Sequence, residues 1–150
     1  PYRPTKSRVR KSIFDSLMPF RFSMVLDLFS GSGILGFEAV SRGAQSVTFV
    51  EKHGPTLRLI KQNAAGLAGP SYTFKHCGAV SFLRRSGSFD LIFADPPYGT
   101  DDLESLAETI LEHLNIKGKF ILECEKDQAP FLDAIATDYG QTRILRWENS

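Results

Sequence analysis

The chain has 150 residues, 42% of them hydrophobic and 23% charged, which is enough apolar material for one sizeable core but leaves little room for a second domain. No apolar run approaches the roughly 20 residues of a membrane helix, and the two cysteines, Cys77 and Cys124, suffice for neither a disulfide framework nor a metal cluster. A monomeric, cytoplasmic protein with free thiols, no metal and no membrane contact is expected. The net charge of +1 is unevenly spread: residues 1–21 carry Arg3, Lys6, Arg8, Arg10, Lys11 and Arg21 against the single acid Asp15, whereas every charge in 101–112 is acidic. The basic end could meet phosphate or be a solvated helical face. The first residue is Pro1 rather than Met, so a further N-terminal piece is expected to precede it.

In chain order, the pattern predicts a helix over 6–17, a strand over 24–29, a helix over 34–42 closed by Gly43, and a strand over 46–51. A helix over 55–67 follows, with Pro55 suited to its first turn, and then a strand over 72–76 and a helix over 79–85. A strand over 89–94, a helix over 102–114 and a strand over 119–125 complete the regular part; residues 127–147 could form a helix or a hairpin turning at Tyr139-Gly140, and the hairpin is preferred. Short apolar runs alternating with amphipathic stretches are the signature of βα units. The expected fold is α/β: a doubly wound, mostly parallel sheet of Rossmann type with helices on both faces. Residues 1–150 are expected to be one domain, with 1–22 a basic segment and 23–150 the core.

Between the first strand and its helix lies Ser30-Gly-Ser-Gly-Ile-Leu-Gly36, in which Gly31, Gly33 and Gly36 satisfy G-x-G-x-x-G in the strand–turn–helix setting of nucleotide-binding turns. Residues without Cβ take unusual dihedrals there and let a ligand approach the backbone. Glu51 ends the second strand, 20 residues beyond Gly31, where a carboxylate accepts hydrogen bonds from ribose hydroxyls. Adenosine binding follows for either NAD or S-adenosylmethionine. Asp27, just before the glycines, would repel a pyrophosphate and welcome an ammonium or sulfonium, which favours S-adenosylmethionine; Phe29, Ser32 and Lys52 are further expected cofactor contacts.

The other specific feature is Asp95-Pro-Pro-Tyr98, which ends the buried fourth strand. Its prolines fix φ and bias the preceding residues toward extended backbone, so the loop is stiff. A purine exocyclic amine is a weak nucleophile because its lone pair is delocalised into the ring. Acceptors at the Asp95 carboxylate and the Pro96 carbonyl would localise that pair and stabilise the developing positive charge, while Tyr98 would stack on the flipped base. At the switch point of a doubly wound sheet, the ends of the first and fourth strands adjoin. Asp95 is therefore expected to touch the cofactor as well.

Together these residues resemble the RsmD-like family of 16S ribosomal RNA guanine-N2 methyltransferases. The resemblance spans nearly the whole chain, from Arg3-Pro-Thr5 and Arg8-Val-Arg10 through Leu26-Asp-Leu-Phe-Ser-Gly-Ser-Gly33, Ser41-Arg-Gly-Ala44, Val50-Glu-Lys52 and Asp95-Pro-Pro-Tyr98 to Tyr139-Gly140. The glycine turn and the proline loop mark the superfamily, whereas Arg-Pro-Thr followed by Arg-x-Arg is narrower. It implies S-adenosylmethionine as cofactor and ribosomal RNA or the small ribosomal subunit as partner. It also implies that Arg3 and Thr5 close over the methionine end, with Arg8 and Arg10 on one helical face guiding RNA phosphates. Gly78 stands where the family usually has Asp or Asn to accept from the adenine amine, leaving the Ala79 backbone and Phe82 to hold the ring. His53, His76 and His113 read as surface residues. A DNA adenine-N6 methyltransferase and a non-catalytic nucleotide- or RNA-binding module remain as alternatives; a dehydrogenase lacks a residue placed to handle a hydride acceptor.

Overall fold

The computed structural model describes residues 6–97, 99–100 and 102–150. Arg3, Thr5 and Tyr98 lie outside the described residues. The elements are α1 (Lys6–Ser16), β1 (Met24–Leu28), α2 (Ile34–Ser41), β2 (Ser46–Val50), α3 (Gly54–Ala65), β3 (Ser71–Lys75), α4 (Ala79–Leu83), β4 (Phe89–Ala94), α5 (Leu103–Leu111), β5 (Leu114–Glu125), β6 (Ile135–Tyr139) and β7 (Thr142–Glu148). The seven strands form one sheet in the order β3-β2-β1-β4-β5-β7-β6. β1 through β5 run parallel, and β7 enters antiparallel between β5 and β6.

The central strands are apolar on both sides because both sides are covered. Val25, Phe93 and Ile121 face a core closed by Val9, Ile13 and Phe14 of α1, Ala39 of α2 and Leu57 and Ile60 of α3. Leu26, Ile92 and Phe120 face the opposite core, closed by Leu83 of α4, Ala107 and Ile110 of α5, and Trp147. α1 is part of the core rather than an appendage. Phe14 is fully buried, and that burial alone stabilises the fold by about 1.5–3 kcal/mol. A hydrogen bond between the Ser12 and Tyr139 hydroxyls also ties α1 to β6. α2 packs tightly on β2: a Cβ on Gly36 would lie 2.4 Å from Cε1 of Phe49.

Differences from the sequence expectation have physical causes at α5 and at the start of β5. Most helices stop one to three residues early, and α5 is trimmed at both ends. Asp102 caps its N-terminus by accepting from the Ser105 N–H at 3.0 Å, and Leu114 is taken into the sheet opposite Phe89. β5 begins at Leu114 rather than 119 because its pairing with β4 shifts between Phe89 and Leu91. Residues 115–118 form the bulge, with Lys117 at φ 66°. They fall between the expected helix and the expected strand and are absorbed by the strand. The tail forms the expected hairpin, closed at Gly140 with φ 59°. Across it, the Arg143 guanidinium donates to both carboxylate oxygens of Asp138, at 2.7 and 3.0 Å.

Candidate active site

The strand order reverses at β1, which pairs with β2 on one side and β4 on the other. The ends are level: Leu28 lies opposite both Val50 and Ala94, and Ala94 lies opposite Leu122. The next residue of each strand, Phe29, Glu51, Asp95 and Glu123, therefore emerges at one rim. This is the crevice in which doubly wound sheets bind ligands.

The glycine turn crosses that rim. Phe29, Gly31 and Gly33 have φ values of 57°, 55° and 78°; the two glycines adopt the left-handed region freely, whereas Phe29 stores strain there. Ser30 anchors the turn, its N–H donating to the Val50 carbonyl at 3.2 Å and its hydroxyl to the Asp27 carbonyl at 2.6 Å. Glu51 holds it from the other side. One carboxylate oxygen accepts from the Gly31 N–H and the other from the His53 N–H, both at 2.9 Å. A carboxylate fixed by two backbone donors keeps lone pairs available for further donors without having to reorient.

Asp27 is buried at 3% exposure and accepts from the Gly36 N–H at 3.2 Å. Burial pushes its carboxyl well above the ordinary carboxylate value; the Gly36 bond pulls it down, and the Asp95 and Glu51 carboxylates push it up again. Three carboxylates thus converge on the glycine turn, and a cation seated there would relieve both the desolvation and the repulsion. Among the described residues, no group of three His, Cys, Asp or Glu side chains could hold a metal ion. An organic cation fits this lining.

Two cavities meet at the turn. The larger, about 810 Å³, is bounded by Phe29, Glu51, Lys52, Ala79, Pro97 and Leu106, among others. The smaller, about 390 Å³, is bounded by Asp27, Ser32, Arg10 and Glu123. Phe29, Gly31 and Asp95 line both. Of the expected cofactor contacts, Gly33 lines neither cavity; a Cβ on it would touch Phe37, Phe49 and Ile60 at 3.0–3.3 Å, so its role is to let the turn pack. In the proline loop, Pro97 lines the larger cavity and Pro96 neither. Thr100 stiffens this loop, its hydroxyl donating to the Pro97 carbonyl at 2.6 Å.

Two expectations are corrected. Phe82 is half-buried and lines neither cavity: it packs on Phe89 with ring centroids 6.3 Å apart, and Cys77, Val80 and Leu106 line the larger cavity where the ring was expected. On a helix, residues two apart point to nearly opposite sides, so Val80 toward the cavity sends Phe82 into the core. The same arithmetic separates the two arginines. Arg10 lines the smaller cavity, with its guanidinium 4.0 Å from Glu38, whereas Arg8 is exposed and lines neither. The histidines serve turns: His53 Nδ1 caps α3, His76 Nε2 lies 3.0 Å from the Lys52 carbonyl and His113 Nδ1 2.9 Å from that of Gly87. Sequence reasoning missed Glu123 and the α5 wall formed by Ser105, Leu106 and Thr109. The spacing of these α5 residues on one helical face was the available signal.

A family model described as Conserved hypothetical protein 95 matches residues 1–145. The chain is 35% identical over 134 residues to Ribosomal RNA small subunit methyltransferase D of Haemophilus influenzae, covering 84% of this chain and 69% of that one. A putative methyltransferase from Escherichia coli superposes with a TM-score of 0.86 at 28% identity, over 99% of this chain and 88% of that one. A S-adenosylmethionine-dependent methyltransferase from Agrobacterium tumefaciens shares the fold at 18% identity, with a TM-score of 0.77 over 99% of this chain and 63% of that one.

Proposed function

Because the chain belongs to the Conserved hypothetical protein 95 family, the RsmD-like family its motifs resemble, we propose that it methylates the exocyclic N2 amine of a guanine in 16S ribosomal RNA, with S-adenosylmethionine as donor. The observation that carries this reading is the position of Asp95, which bounds both cavities beside a glycine turn ringed by carboxylates. In this reading residues 1–150 act as one methyltransferase domain, the basic start facing RNA and the sheet carrying the chemistry.

S-adenosylmethionine supplies an electrophilic methyl group on a sulfonium. The chain's residues supply position and field. Glu51 accepts from the ribose hydroxyls, Ala79, Val80 and Leu106 enclose the adenine, and Asp27 faces the positively charged end across Gly31. Asp95 accepts from an N–H of the target amine, turning its lone pair toward the methyl carbon and stabilising charge as it develops. The methylated amine is acidic enough to pass its proton to water, so no strong base is needed. Orientation alone can remove roughly 7–11 kcal/mol of the barrier.

The test is direct. Protein incubated with tritiated donor and 30S particles or ribosomal RNA from cells lacking this modification is expected to yield labelled N2-methylguanosine. Labelled N6-methyladenosine would overturn the substrate assignment, and a chain that neither binds the donor nor transfers label would be a binding module.

Two further outcomes follow from the site. Gly78 has extended backbone, φ −76° and ψ 157°, lines the larger cavity, and a Cβ there would meet nothing within 4 Å. Gly78→Asn therefore fits, and its amide oxygen can accept from the adenine amine. One added hydrogen bond of about 0.5–1.5 kcal/mol should tighten donor binding roughly 2–12-fold by titration calorimetry. Arg10→Ala should weaken RNA binding and flatten the dependence of log affinity on log salt by about 0.7 if Arg10 neutralises one phosphate; an unchanged slope would remove Arg10 from the RNA contact.

A further inference from the structure

Glu123 lies within β5, opposite Ile144 of β7 and one residue past the Ala94–Leu122 pair, level with the rim. It is half-buried and lines the smaller cavity with Asp95, Arg10 and Asp27. Strand alternation fixes its face: Phe93 and Ile121 point into the core beneath α1, so Asp95 and Glu123, two positions further on, leave β4 and β5 on that same side. Two carboxylates therefore stand side by side, about 4.8 Å apart at the backbone, the spacing of neighbouring strands.

Carboxylates leaving neighbouring strands side by side can bracket an amino group. Acceptors placed at about 2.9 Å on the two N–H bonds of a planar NH2 are about 5 Å apart. With Asp95 on one N–H of a guanine N2, a carboxylate on the other side meets the second N–H together with the ring N1–H next to it. Adenine and cytosine present an acceptor nitrogen beside their amines and would be repelled there. Resting on the guanine reading above, we infer that Glu123 selects the base: its carboxylate accepts from N1–H and N2–H of guanine and so excludes bases whose ring nitrogen is an acceptor. Asp95 activates the amine, and Glu123 reads what lies beside it.

The experiment compares wild type with Glu123→Gln, an isosteric change, and Glu123→Asp. The substrate is RNA carrying either guanine or 2-aminopurine at the labelled position; 2-aminopurine keeps the N2 amine but turns N1 into an acceptor. Loss of a bidentate base contact is expected to lower kcat/KM on guanine about 10–100-fold. The Gln amide can donate to N1, so the preference for guanine over 2-aminopurine should narrow at least as far, with donor affinity unchanged and Glu123→Asp partly retaining selectivity. Equal guanine turnover and equal preference in Glu123→Gln would overturn the role of Glu123 and leave the guanine reading standing. A wild type that labels adenine would overturn both.

Discussion

Asp95→Ala is expected to lower the rate of methyl transfer about 10²–10³-fold, the usual effect of deleting one preorganised electrostatic contact to a transition state. The reason is positional. Asp95 follows Ala94, which lies opposite Leu28 of β1, and two prolines fix the backbone after it. Its carboxylate therefore sits beside the glycine turn before any substrate arrives. In the proposed reading Glu51 and Asp27 bind the donor from other strands, so donor affinity should change much less than kcat. Asp95→Asn keeps an acceptor oxygen without its charge and should fall between the two. Single-turnover transfer of tritiated methyl, with calorimetric donor titration, separates the effects. A rate within tenfold of wild type in Asp95→Ala would remove this residue from the chemistry.

The residues legible in the sequence were those whose roles are set by short-range pattern. Gly31 and Gly33 follow a buried strand and open a helix, and Glu51 and Asp95 each end an apolar run, so strand geometry alone placed them at one rim. Tyr139-Gly140 marked its hairpin because a tight turn needs positive φ, which Gly140 supplies. What was not legible depends on long-range pairing. Asn115-Ile-Lys-Gly118 has turn composition, and only the pairing of Phe89 with Leu114 draws it into β5. Glu123 is one of several charges in 123–127, and only the register of β5 against β4 brings it level with Asp95. Phe82 and Arg8 belong to a different class. Helical periodicity, applied to Val80 and Phe82 or to Arg8 and Arg10, separates the members of each pair.

Asp27→Asn is expected to act in opposite directions on stability and on binding. The carboxyl is buried, and that burial, ahead of the neighbouring Asp95 and Glu51 charges, raises its pKa well above 3.8. A raised acid binds its proton more tightly in the folded state than in the unfolded chain, so wild-type stability falls as pH rises from about 4 through the folded pKa. Asparagine keeps an oxygen for the Gly36 N–H and removes the ionisation. The free variant should therefore match wild type below about pH 4 and be the more stable of the two at neutral pH, read as a higher Tm there. Donor binding should fall, on the order of 10–100-fold, because a buried carboxylate facing a cation is worth about 1.5–3 kcal/mol. In wild type, the cation draws the carboxyl back toward ionisation, so donor affinity should rise with pH up to the folded pKa, with proton release visible as a buffer-dependent calorimetric heat. Asp27→Asn should abolish that release. If Tm drops at neutral pH while donor affinity holds, Asp27 is a structural acceptor for Gly36 and not the counter-charge of the site.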